Sequence, residues 1–223
     1  MVKEMTNKQK IKIAVDLVMT ITLLLLMLFQ ITGQQVHEYL GIMMLCLFLE
    51  HNFLNRKWYR PLFKGKYKFY RLVQTILNIC ILITMLGLGY SGMVMAQYVP
   101  FSISESISLA RRLHLACSYW SFVLMSVHIG MHLRQMMNIF KKYIHLKTNV
   151  LKIIKLMIVI ICLYGIYCFI QNNMMSYMFL INEFVFFDFE KNTFIVLLEY
   201  LSMMELWVNI GYFITRMILK VRD

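Results

Sequence analysis

The chain has 223 residues, of which 60% are hydrophobic and only 15% are charged. Soluble domains carry about 25% charged residues, so this composition excludes an ordinary soluble domain and indicates a protein embedded in a lipid bilayer. The formal net charge of +12 would also suit a nucleic-acid-binding protein. The positions of the basic residues argue against that partner.

Six apolar segments follow one another along the chain, each close to the roughly 20 residues that a helix needs to cross a bilayer. They span residues 13–32, 36–54, 72–92, 113–133, 153–170 and 193–215. The first is too long for the core of a signal peptide, and no small-residue cleavage site follows it. The sequence therefore predicts an all-α, polytopic transmembrane bundle of about six helices, with residues 1–223 forming one membrane domain.

The basic residues are distributed unevenly between the two sides of this bundle. Twenty of the 23 Lys and Arg residues lie at the N-terminus, in the second and fourth connections, or in the C-terminal tail. The other side receives Arg111, Arg112 and Lys191. Because cytoplasmic loops are enriched in Lys and Arg, both termini are predicted to be cytoplasmic, in a multi-pass protein of the plasma membrane. This distribution explains the net charge without nucleic acid.

An aromatic stretch, SYMFLINEFVFFDFE, lies between the fifth and sixth segments. It is too short and too charged at its end to be another span, which predicts an outer interfacial segment near residues 174–192, lying on the membrane or over the bundle. Residues 150–223 then add two transmembrane helices to a four-helix core at residues 13–134.

Four histidines form two pairs with equal spacing: His37 and His51 in the second segment, and His114 and His128 in the fourth. Each pair is 14 residues apart, which is about 21 Å along a helix and returns to the same helix face. Because one span separates these two segments, they run parallel. His37 is therefore expected to stand level with His114, and His51 with His128.

Two levels of facing imidazoles suit two haem groups, each with iron bound by one histidine from either side. His132, four residues after His128 on the same face, is an alternative ligand at that level. Arg111 and Arg112 are candidates for contacts with haem propionates, or serve only as topology signals. Zinc at His128 and His132 is a weaker prediction, because no third ligand or catalytic glutamate accompanies them.

Other residues of these segments have less defined predicted roles. Gly41 and Gly130 lie near the predicted ligands, where a missing side chain would let the flat macrocycle approach the backbone. The ionisable residues Asp16, Glu38 and Glu50 are left without an assigned role. His145 lies in a basic loop and is predicted to be solvated.

Three sequence runs, TGQQVHEYLGI, LEHNFLNRKWY and RLHLACSYWSFVLMSVHIGMH, resemble the flavinylation-associated cytochrome family of bacterial membrane proteins. The resemblance is most specific over residues 13–134. It implies a haem b electron-transfer subunit of an oxidoreductase system, with the motif histidines at the five positions named above. Electrons would pass from menaquinol or a cytoplasmic donor to an extracytoplasmic flavin-bearing protein, since this chain has no flavin attachment motif of its own.

Two other function classes stay open at this point. The histidines and glutamates would also suit an ion or metal transporter, although the segments lack the Gly/Pro interruptions of broken helices. A structural membrane anchor, with its histidines merely packed, is the third possibility.

Overall fold

The computed structural model describes residues 6–60, 62, 68–98, 106–143, 147–188 and 190–220, without the side chains of 134–136 and 138–143. His145 therefore lies outside the described residues. The described secondary structure is entirely helical. Its α-helices are α1 (Asn7–Met27), α2 (Phe29–Leu54), α3 (Phe69–Met95), α4 (Ile107–Tyr143), α5 (Thr148–Gln171), α6 (Met174–Met178) and α7 (Thr193–Lys220). A 3-10 turn at Arg56–Trp58 follows α2.

Six of these helices are long, and each covers most or all of one predicted apolar segment. Most extend past the apolar residues, because polar residues at the ends continue the same backbone hydrogen bonds outside the hydrocarbon layer. The first segment is the exception, since α1 ends at Met27 and residues 29–32 already belong to α2. Gly33 lies at a kink in α2 with a φ of 71°, a conformation that glycine adopts without steric cost.

Four helices of the described chain, namely α3, α4 over residues 107–133, α5 and α7, are long and apolar enough to cross a membrane. These helices confirm the predicted class, a helical membrane protein. The helices α1 and α2 are outside this set. They carry ionisable side chains at Lys8, Lys10, Lys12, Asp16, His37, Glu38, Glu50 and His51. Six spans and cytoplasmic termini therefore stay predictions.

Glycines bring the backbone of α7 into contact with its two neighbouring helices. A β-carbon at Gly211 would overlap the carbonyl oxygen of Val127 in α4, and one at Gly130 would overlap that of Val208 in α7. Gly165 of α5 makes the same kind of contact with α7. Small residues allow such close helix packing within membranes. The interpretation of Gly130 as a space for haem is therefore wrong, since α7 fills that space.

Gly211 and Gly41 form a matched pair for testing this packing. Gly211→Ala places a β-carbon against the Val127 carbonyl and is expected to cost about 1–3 kcal/mol. Gly41→Ala meets nothing within 4 Å and gains helix propensity of up to about 1 kcal/mol. Thermal unfolding in detergent should show a lower Tm for the first variant and an unchanged or higher Tm for the second. Equal shifts in the same direction would contradict the packing.

The two histidine-bearing helices belong to different parts of the bundle. α2 packs along α1 and approaches α3, whereas α4 packs between α3 and α7. The backbones of α2 and α4 thus have few close approaches, and their facing side chains occupy the space between them. This arrangement leaves the histidines of both helices directed toward a shared region.

The chain after α5 folds back into one end of the bundle. Met174 is fully buried, Tyr177 stacks on Tyr119 with ring centroids 5.0 Å apart, and Trp120 Nε1 donates a hydrogen bond of 3.0 Å to the Met178 carbonyl. α6 therefore packs over the bundle, one of the two predicted arrangements. Large apolar side chains that follow it are exposed: Phe179, Ile181, Phe184 and Phe186.

Candidate functional site

His37 and His114 face each other between α2 and α4. Their ring centroids are 6.0 Å apart, and their planes are inclined by 65°. Two imidazoles that bind one metal ion from opposite sides have centroids roughly 6 Å apart, because each metal–nitrogen bond is about 2 Å long. The predicted juxtaposition of His37 and His114 is therefore present, with a centroid separation in this range. We call this pair the His37 level.

Ser91 of α3 determines which nitrogen of His114 carries the proton. The buried Ser91 hydroxyl donates a hydrogen bond of 2.6 Å to the Gly87 carbonyl and lies 3.0 Å from His114 Nδ1. Because its one proton is used at Gly87, Ser91 Oγ accepts from Nδ1–H, and Nε2 of neutral His114 keeps its lone pair. Metal-binding histidines usually have their second nitrogen held in this way. His114 thus leaves Nε2 unprotonated.

The environment of His37 leaves one of its ring nitrogens unsatisfied. Within the described part of the chain, its Nδ1 is buried and has no hydrogen-bond partner. The ring packs edge-on against Phe29 at 5.1 Å and interacts with the backbone of Leu26. A buried nitrogen without a partner costs about 1–3 kcal/mol, and a bond to iron would remove that cost.

The second level, which we call the His51 level, contains His51, His128 and His132. Asp16 of α1 accepts a hydrogen bond from His51 Nδ1, with 2.7 Å between Nδ1 and Oδ1. An ionised carboxylate can only accept, so Nδ1 carries the proton and Nε2 of neutral His51 keeps its lone pair. The Asn55 amide nitrogen lies 3.4 Å from this Nε2. His51 is therefore oriented by a carboxylate, in the manner of many metal-bound histidines.

His128 and His132 differ in what their nitrogens already contact. Nδ1 of His128 is buried without a hydrogen-bond partner among the described residues, and His128 is near enough to His51 and Asp16 to interact with them electrostatically. His132 Nε2 lies 3.1 Å from the Gln74 amide nitrogen of α3, which donates to it. The two imidazoles are 4.7 Å apart between centroids. Of the two, His128 has the nitrogen open to a ligand.

Glu38 joins the end of α3 to α2, next to His37. Its carboxylate accepts hydrogen bonds from the backbone N–H groups of Gln97 (3.1 Å) and Tyr98 (2.8 Å), and from the Gln34 side chain (2.7 Å). These bonds satisfy N–H groups just beyond α3. The role of Glu38, which the sequence left open, is thus structural. Its hydrogen bonds fix the position of the neighbouring His37.

Glu38→Gln is expected to loosen this connection. The neutral amide accepts less strongly than a carboxylate, so we expect a loss of about 1 kcal/mol and faster hydrogen exchange at Gln97 and Tyr98. Hydrogen–deuterium exchange measured by mass spectrometry on the peptide containing residues 97 and 98 provides the test. Glu50→Gln, at an exposed position on the same helix, is the matched control and should leave that exchange unchanged. Equal protection in all three proteins would contradict the proposed connection.

Arg111 and Arg112 both contact the segment that follows α6. Arg112 Nε lies 3.0 Å from Glu183 Oε1, and the Arg111 guanidinium lies over the Phe184 ring at 6.0 Å from its centroid. Both arginines are exposed. Their contacts thus hold this segment near the start of α4, and contact with haem propionates stays a prediction.

The supporting residues were not apparent from the sequence. Ser91 and Gln74 reach their histidines from α3, and no local pattern connects positions so distant in the chain. Asp16 carried a usable signal, because a charged residue within an apolar segment is usually functional. Only the packing of α1 on α2 shows that His51 is its partner.

Among the described residues, no group of three or more His, Cys, Asp or Glu side chains is arranged to hold a metal ion by itself. At the His37 level two imidazoles face each other, and at the His51 level three imidazoles lie near one another. No family model, curated protein or solved structure matches the chain. The resemblance to flavinylation-associated cytochromes therefore rests on the sequence runs alone.

Proposed function

We propose that the chain is a di-haem b-type membrane cytochrome that carries electrons across the bilayer. The observation that carries the proposal is the facing pair of His37 and His114, whose ring centroids are 6.0 Å apart. His51 and His128 supply two further imidazoles, which are near enough to interact electrostatically. Each of these four histidines has an unprotonated or unpartnered ring nitrogen. The buried Nδ1 of His37 and of His128 has no partner among the described residues, and Nε2 of His114 and of His51 keeps its lone pair. A haem iron needs two such nitrogens.

The protein's own contribution is to hold and orient the ligands. Haem b, when bound, supplies a reversible one-electron couple. Ser91 and Asp16 hold the protons of His114 and His51 on Nδ1. Nε2 of each ring is therefore unprotonated and can bind a metal. The hydrophobic core of the bundle includes Met85 of α3 and Leu115 of α4, the residue next to His114. These features favour binding of a group that needs two fixed nitrogens.

In this proposal six helices cross the plasma membrane, with both termini cytoplasmic. The His51 level then lies near the cytoplasm, where menaquinol or a cytoplasmic donor delivers electrons. The His37 level lies near the outer surface, where an extracytoplasmic flavin-bearing protein accepts them. An electron that leaves a negatively charged cytoplasm gains roughly 2.3 kcal/mol per 100 mV if it crosses the whole membrane. Outward transfer is thus favoured by the membrane potential.

Electron transfer across sealed liposomes tests this function. Purified protein is reconstituted around trapped ferricyanide, and the impermeant reductant dithionite is added outside. We expect rapid bleaching of ferricyanide with the wild type, and only the rate of protein-free liposomes with His114→Ala. Glu50→Gln, which leaves every described ligand in place, should retain the wild-type rate. Haem-loaded wild-type protein that transfers no faster than protein-free liposomes would overturn the proposal.

A further inference from the structure

A polar contact between α1 and α2 surrounds His51. On α1, Lys12 and Asp16 are four residues apart and share one face, as do His51 and Asn55 on α2. Asp16 accepts from His51 Nδ1 at 2.7 Å, and Lys12 Nζ donates to Asn55 Oδ1 at 2.6 Å. Asn55 in turn donates to the His51 carbonyl at 2.9 Å. The contact therefore fixes both the ring and the backbone of His51.

The corresponding contact at the other level carries no charge. His114 Nδ1 donates to the Ser91 hydroxyl, a neutral acceptor, whereas His51 Nδ1 donates to the Asp16 carboxylate. A carboxylate makes the opposite ring nitrogen a stronger electron donor and places negative charge near the metal. Both effects stabilise ferric iron over ferrous iron and lower the reduction potential. The haem at the His51 level would thus have the lower reduction potential, which is the order that the proposed electron flow requires.

We infer that Asp16 is a positioning residue that lowers the reduction potential of the haem at the His51 level below that at the His37 level. This inference rests on the proposed function. Electrons that enter at the His51 level then pass to the haem of higher potential and continue toward the His37 end. Asp16 acts through His51 and touches no reacting atom itself.

Within the described chain no lysine or arginine forms an ion pair with Asp16. Lys12 Nζ is directed to Asn55, and the contact of Asp16 with neutral His51 is a hydrogen bond. Glu50 is next to His51 in sequence, but it is exposed and makes no described hydrogen bond or ion pair. Glu50 therefore provides a control that removes the same charge near His51 without removing a contact to its ring.

Redox titration of the purified holoprotein tests the inference. We expect two midpoint potentials in the wild type. In Asp16→Asn we expect the lower one to shift upward, so that the gap between the two narrows. Glu50→Gln should leave the gap close to that of the wild type. The role of Asp16 would be overturned if the difference between the two midpoint potentials were unchanged in Asp16→Asn. It would also be overturned if Glu50→Gln narrowed that difference as much as Asp16→Asn.

Two further variants cover the case in which Asp16→Asn does not bind its haem. Asp16→Glu should restore the lower midpoint, since it keeps the carboxylate. Asp16→Ser, which imitates the Ser91 contact, should keep the haem with a raised midpoint. Loss of that haem from both Asp16→Asn and Asp16→Ser would show that Asp16 is needed for binding alone, and would contradict the inference. Wild-type protein without haem would instead defeat the proposed function.

Discussion

Replacing His114 by alanine is expected to remove one of the two haems and to leave the other in place. A haem held by His37 and His114 would lose one of its two histidine ligands, and alanine offers no replacement. The other level is 14 residues along the same helix, about 21 Å away, so its ligands should not be disturbed. Haem content per chain, measured as the pyridine haemochrome, should fall to half.

His37→Ala should give the same result, because it removes the opposite ligand of the same iron. The double variant His37→Ala/His114→Ala should lose no more haem than either single variant, since neighbours that act as a unit are not additive. Phe29→Leu, which changes a ring that packs against His37 but removes no ligand, is the control and should keep full haem content. Unchanged haem content in both single variants would defeat the assignment of this level.

The second large effect is expected to show which of His128 and His132 binds the haem at the His51 level. His128→Ala should remove the haem at the His51 level, because the open nitrogen at this level belongs to His128. His132→Ala should keep both haems, since Nε2 of His132 already accepts from Gln74. The measurement is again haem content, combined with electron paramagnetic resonance of the remaining low-spin signals. Haem loss in His132→Ala with retention in His128→Ala would assign the ligand to His132.

The features that depend on local pattern were predictable from the sequence. The long helices follow the apolar segments, and the equal spacing of the histidines placed His37 opposite His114 before any packing was known. Helix geometry alone carries that inference, since rise and turn per residue are fixed. The kink within α2 was less accessible, because it depends on the positive φ of Gly33.

The features that depend on packing between distant helices were not predictable. Gly130 looked like space for a cofactor, yet the structure uses it for the contact with Val208. Glu38 had no role that its sequence position assigned, whereas its bonds to Gln97 and Tyr98 make it a structural group. In each case one sequence position suits several partners, and only the three-dimensional neighbours select one of them.

A reduced-minus-oxidised optical spectrum with haem quantification on the purified wild-type protein tests the central claim most directly. The four histidines at the two levels predict a sharp b-type band and two haems per chain. Folded protein that shows no such band, even after haem is supplied during expression, would contradict the account and favour a transporter or a structural anchor.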